Sequence, residues 1–167
     1  MPELPFSLAS KPSLDSWISF DTNDRVIVST GKVELGQGIK TAVASIAAIE
    51  LSIAMERVDV VQANTVDHPN EGITAGSMSI QMTGAAVRQA CAEVRALAIA
   101  QAAQELGIDE AHVHLQDGQL GPKGAGANAS ISYAELFAGG INADANGQAR
   151  PLPAAPAPRV GRIDLPG

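Results

Sequence analysis

Gly36-Gln37-Gly38-Ile39-Lys40-Thr41-Ala42-Val43-Ala44-Ser45-Ile46-Ala47-Ala48 is a glycine turn that runs straight into an alanine-rich helical pattern, and Thr74-Ala75-Gly76-Ser77-Met78-Ser79 opens a second run of the same kind. Each turn sets free backbone N–H groups at a helix start, where glycine permits close approach and serine adds hydroxyl donors. Such ends suit a ligand rich in phosphate and carbonyl oxygens. The two turns therefore read as two jaws of one site.

Ahead of the first turn, Trp17-Ile18-Ser19-Phe20 and Arg25-Val26-Ile27-Val28-Ser29 read as strands of a hairpin, joined by the turn formers Asp21-Thr22-Asn23-Asp24. From Ile39 the spacing of Val43, Ile46, Ala47 and Ile53 predicts a helix running to about Ala54. Arg57-Val58-Asp59-Val60-Val61 returns to the two-residue alternation of a strand, and a loop with Asp67, His68, Pro69, Asn70 and Gly72 follows. The second helix carries an apolar stripe at Ile80, Gly84, Val87, Cys91, Val94 and Ala98, with Arg88, Glu93 and Arg95 off it, and Gly107 closes it. Ala111 to Leu115 alternates again before the turn signal Asp117-Gly118, and Ser132 is expected to cap a short helix before Phe137.

These elements predict an α/β (α+β) fold, two long helices packed on a small mixed sheet, with no internal repeat. Residues 1–140 are expected to form the compact part. Residues 141–167, where Pro151, Pro153, Pro156 and Pro158 interleave with alanine, are expected to be a linker or a tail that wraps a partner. Aromatics make up only 3% against 46% hydrophobic residues overall, so the core must be built from Ala, Val, Ile and Leu, and helices can lie close to the sheet.

Lys and Arg number 11 against 18 Asp and Glu, a net charge of -7, which argues against broad affinity for nucleic acid or an anionic membrane. Any anion must be held locally. The single Cys91 excludes an internal disulfide and a four-thiolate cluster within the chain. Neither a signal-like start nor an apolar run of spanning length is present, so a soluble, cytoplasmic protein is expected.

At the level of local pattern, Gly36-Gln37-Gly38 reads either as a loop that needs positive backbone dihedrals or as a ligand loop in which the Gln37 amide reads the edge of a heterocycle. It matches no nucleotide fingerprint, since G-x-G-x-x-G is absent and the P-loop Gly-Lys pair is missing. Thr74 to Ser79 reads either as a simple N-cap or as a ligand turn; capping needs one hydroxyl, and Thr74, Ser77 and Ser79 offer three. His112 and His114 share a strand face, a spacing open to metal binding, but no third ligand is placed and surface exposure is the expectation. Cys91 lies on the apolar stripe and reads as inert packing. His68 beside Pro69 reads either as a pocket-lining residue or as a plain loop residue; Glu34 and Glu71 flank the turns and read either as general acid–base groups or as exposed residues, exposure being the expectation because a carboxylate beside a phosphate is repulsive.

Taken together, Gly31-Lys32-Val33-Glu34-Leu35-Gly36-Gln37-Gly38-Ile39-Lys40-Thr41 and Glu71-Gly72-Ile73-Thr74-Ala75-Gly76-Ser77-Met78-Ser79-Ile80-Gln81 resemble the molybdopterin-binding subunit of the xanthine dehydrogenase/aldehyde oxidase family, in particular its nicotinate dehydrogenase and isoquinoline 1-oxidoreductase branch. The resemblance runs from about Leu14 to Ala102, and Arg159 to Gly167 is similar to the join with a following domain. It implies that Leu35, Gly36, Gln37 and Gly38 contact the pterin and dithiolene end of a molybdopterin cofactor, often the cytosine dinucleotide form, and that Gly76, Ser77, Ser79 and Ile80 complete the grip. It further implies hydroxylation of an N-heteroaromatic or an aldehyde with water as oxygen source. The catalytic glutamate of that family stands in a Gly-Glu context that occurs nowhere in the 167 residues, so no catalytic residue and no protein metal ligand is assigned. The chain is expected to be inactive alone, with a larger molybdenum-subunit chain or segment and a small iron–sulfur subunit carrying 2Fe–2S clusters as partners.

Overall fold

The computed structural model describes residues 3–31, 38–62, 78–124 and 129–153. Within the proline-punctuated arm a five-residue helix, α1 (Phe6–Ser10), follows Pro5 and sends Leu8 into the core. Trp17 is fully buried and its indole N–H donates to the Lys11 carbonyl at 2.8 Å, which removes the cost of burying that group.

The expected hairpin is present as β1 (Ile18–Phe20) and β2 (Val26–Thr30), antiparallel with Ile18 opposite Val28. Asp21 makes the turn: its carboxylate accepts the amides of Asn23 at 2.8 Å and Arg25 at 2.9 Å. A parallel neighbour requires a crossover, and α2 (Ile39–Leu51) supplies it, delivering β3 (Val58–Gln62) alongside β2 with Val26 opposite Val58 and Thr30 opposite Gln62. The sheet is therefore mixed, as expected.

The helix predicted to reach Ala54 ends at Leu51 instead. Ser52 turns left-handed, with φ 49°, and the Ile53 amide folds back to the Ala48 carbonyl at 3.0 Å. Serine is an unusual residue for that role, and its conformation is held from outside: the Ser52 carbonyl accepts the Gly118 amide at 2.9 Å.

The 29-residue α3 (Met78–Leu106) packs on α2 and on α1. Val87, Cys91, Val94 and Ala98 of the predicted stripe are fully buried, but so are Ala86, Ala90, Ala92 and Ala102, because α3 is covered on several sides. A second, antiparallel sheet of β4 (Val113–Gln116), β5 (Gln119–Pro122) and β6 (Ile131–Ser132) also contacts α3 and contributes Leu120 to the core. The four-residue α4 (Tyr133–Leu136) follows directly, with Ser132 and Glu135 in a reciprocal capping box. Tyr133 stacks on Phe20 at 4.9 Å between ring centroids, tying α4 to the first sheet.

Residues beyond α4 return across the molecule. Asp15 accepts the amides of Ile141 and Asn142 at 2.7 and 2.8 Å, Leu14 pairs with Ala143, and Ile141 and Ala145 are buried in the core. Farther on, residues 147–152 lie against α2 and α3. There Glu50, only 2% exposed, accepts Arg88 Nε at 3.0 Å, Arg95 Nη1 at 2.6 Å and the Leu152 amide at 3.0 Å to both carboxylate oxygens. Glu93 is also buried and accepts Gln89 Nε2 at 2.9 Å and the Gly147 amide at 2.8 Å. Sequence periodicity placed Arg88, Glu93 and Arg95 off the apolar stripe without revealing that both arginines converge on Glu50 and that all three bind the returning chain.

Candidate functional site

The two loops that carry the site motifs both leave the carboxyl ends of adjacent parallel strands. β2 ends at Thr30 and its chain re-enters helix at Ile39; β3 ends at Gln62, paired with Thr30, and its chain re-enters helix at Met78. Ligands of α/β sheets gather at such strand ends, where loops and helix starts converge.

Of the residues expected to hold the ligand, Gly38, Ser79 and Ile80 belong to the described part of the chain. Gly38 is the N-cap of α2 and adopts a left-handed conformation, φ 75° and ψ 20°, that strains any residue with a β-carbon. A β-carbon there would meet no other group within 4 Å, so the glycine serves the backbone conformation and leaves close approach open. Ser79 and Ile80 lie in the first turn of α3. Leu35, Gly36, Gln37, Gly76 and Ser77 lie outside the described residues, as do Glu34, His68 and Glu71.

The electrostatics of both helix starts favour an anion. Neither first turn contains an acidic residue, and α2 has Lys40 in its own, next to amides that a glycine cap cannot satisfy with a side chain. Ile39 anchors that turn, being almost fully buried. In these two first turns, main-chain amides with one ammonium and no carboxylate fit a phosphate-bearing, carbonyl-rich group. They do not fit a bare metal ion, and no cluster of three His, Cys, Asp or Glu with metal-binding spacing occurs among the described residues.

Both histidines are exposed and the lone cysteine is packed, as expected, but the two histidines do not share a strand. His114 is exposed on β4 and His112 is exposed in the turn before it, while Val113 and Leu115 face the core. Cys91 is fully buried; desolvation, assisted by nearby Glu50, pushes its thiol far above the ordinary range, so it is not a nucleophile. The residues that sequence reasoning missed are those of the Glu50 cluster. One signal was available: Glu50 is the lone acid of α2, amid the apolar run Ile46 to Leu51, and Arg88 and Arg95 stand seven positions apart, on one helix face.

With this geometry in place, comparison with known proteins assigns the family. The profile of the molybdopterin cofactor-binding domain matches residues 4–159, and the chain belongs to that family. It is 33% identical over 123 residues to a nicotinate dehydrogenase subunit from Pseudomonas putida, covering 74% of this chain and 10% of that protein. It is 43% identical over 73 residues to xanthine dehydrogenase 2 of Arabidopsis thaliana, covering 44% and 5% respectively. Reconstituted CO dehydrogenase from Oligotropha carboxidovorans shares the fold with a TM-score of 0.60 and 29% identity, over 72% of this chain and 15% of that one. The chain thus spans about a tenth of the nicotinate dehydrogenase protein it matches. Among the described residues no helix is long and apolar enough to cross a membrane.

Proposed function

We propose that this chain is a cofactor-holding part of a molybdenum hydroxylase that acts on an N-heteroaromatic or an aldehyde with water as oxygen source. The observation that carries the reading is the left-handed Gly38 cap at the start of α2, beside the paired carboxyl ends of β2 and β3, in a chain of the molybdopterin-binding family. In this reading Leu35, Gly36, Gln37 and Gly38 hold the pterin end of the cofactor, and Gly76, Ser77, Ser79 and Ile80 hold it from the other turn. The bound group is a molybdopterin cofactor in its cytosine dinucleotide form, and it supplies the oxygen-transfer and redox chemistry.

The protein's own share is placement and charge. Amides at the two helix starts stabilise phosphate and pterin oxygens, and Gln37 both donates to and accepts from the heterocycle. Residues 1–140 are the cofactor-binding part, and 141–167 a Pro/Ala-rich linker or tail whose described stretch packs back onto that part. The catalytic glutamate and the 2Fe–2S clusters belong to a larger molybdenum-subunit chain or segment and to a small iron–sulfur subunit, and the assembly is cytoplasmic; this chain is inactive without them.

Co-expression with the partner chains followed by molybdenum and pterin analysis tests the reading. Cofactor in stoichiometric amount is expected, and it should be lost in a Gln37→Ala, Ser77→Ala double variant that still assembles. A firm complex containing no molybdenum would overturn the proposal and leave an assembly module in its place.

A further inference from the structure

Among the described residues, the polar contacts that α2 and α3 make with residues 147–152 go to the main chain of that segment. Glu50 accepts the Leu152 amide, Arg88 Nη2 donates to the Leu152 carbonyl, Arg95 Nη2 donates to the Arg150 carbonyl at 2.8 Å, and Gln89 donates to the Ala149 carbonyl at 2.9 Å. Glu93 takes the Gly147 amide. Leu152 stands between Pro151 and Pro153, so its N–H is the only backbone donor in that triplet. Proline after it also biases Leu152 to an extended backbone, which presents its N–H and C=O for capture with little conformational freedom to lose.

We propose that Glu50, Arg88 and Arg95 form a latch that reads the backbone of the Arg150-Pro151-Leu152-Pro153 segment and pins that segment against α2 and α3. The two arginines serve twice: each neutralises Glu50 and each also donates to a strap carbonyl, so the carboxylate and the strap hold one another in place. Arg95 further donates to the Glu50 carbonyl at 2.8 Å, which ties the carboxyl end of α2 to the same guanidinium. Because the strap contributes no side chain to these bonds, opening the latch frees the segment while leaving the packed body of the protein intact.

Residue-resolved amide exchange on the 167-residue chain tests it. In Glu50→Gln, which keeps the shape and one acceptor oxygen but lacks the charge that gathers both guanidiniums, the Leu152 amide should exchange at least about ten-fold faster while the β2 amides keep their wild-type rates. Arg88→Lys keeps the charge but not the fork that reaches Glu50 and Leu152 together, so it should show the same selective acceleration, and it serves if Glu50→Gln does not fold. Unchanged Leu152 exchange in the folded variants would overturn the latch. So would Leu152 and β2 accelerating in parallel, which would make Glu50 a support of the whole body.

Discussion

Asp117 and Gly118 both take positive φ, 46° and 76°, which is the geometry of the tight turn that matches the twist of two antiparallel strands. A β-carbon on Gly118 would come within 2.6 Å of Arg57 Nη2 and 3.1 Å of the Ile53 side chain. Arg57 can swing away, but only by giving up its bond to the Asp117 carbonyl and its ion pair with the Asp117 carboxylate, whereas Ile53 has less room to move. Gly118→Ala should therefore destabilise the fold by about 1–3 kcal/mol, read as a lower urea midpoint with an unchanged slope. The Asp-Gly signal for this turn was plain in the sequence. That the turn packs on Ile53 and Arg57, over sixty positions away, was not, because the contact depends on where α2 ends.

A helix of four residues does not persist by itself, since nucleation costs more than so few hydrogen bonds return. α4 persists because its amino end is capped reciprocally and its first side chain is packed on β1. Ser132 accepts the Glu135 amide at 3.2 Å while Glu135 accepts the Ser132 amide at 2.8 Å, and Tyr133 stacks against Phe20. Ser132→Ala should lower stability by about 1 kcal/mol, and Ser132→Asp should recover most of it, a pair of outcomes that chemical denaturation distinguishes. Equal loss in both variants would show that the hydroxyl matters for packing in β6 and not for the cap. Ser132 was legible as a cap because capping is local. The end of α2 was misjudged by three residues because the periodic signal continues through Ile53, while the stop depends on Ser52 receiving a bond from the β4–β5 turn.

For the molecule as a whole, pH dependence has a traceable contribution from the strand pair that frames the site. Arg25, immediately before β2, and Asp59 of β3, which pairs with Ile27, form a two-bond pair at 2.6 and 2.7 Å on the surface. The hydrogen bond from Arg25 holds the Asp59 carboxyl below its ordinary value; Asp21 is lowered as well, chiefly by the Arg25 amide. A carboxyl lowered in the folded state adds stability above its unfolded value of about 4 and loses it as pH falls through the folded value. Asp59→Asn should thus be slightly less stable than the parent at pH 7, with the gap closing in acid as thermal midpoints are followed from pH 6 to 2.5. A gap that persists undiminished in acid would assign the effect to the sheet surface and not to the charge.

Local chemistry was enough to establish from sequence the hairpin at Asp21, the mixed α/β class, the stripe of α3, the turn at Asp117 and the cap at Ser132. It also picked out Gly38, whose left-handed conformation follows from the absence of a β-carbon. The tertiary structure alone decided that Glu50 and Leu152, 102 positions apart, meet in a buried ion cluster, that a second sheet packs on α3, and that residues 141–145 close onto the N-terminal segment. Periodicity and turn signals report how a residue sits within its own element. Which distant groups then meet is settled by how the elements pack, and a buried charge is tolerated only where that packing brings it partners.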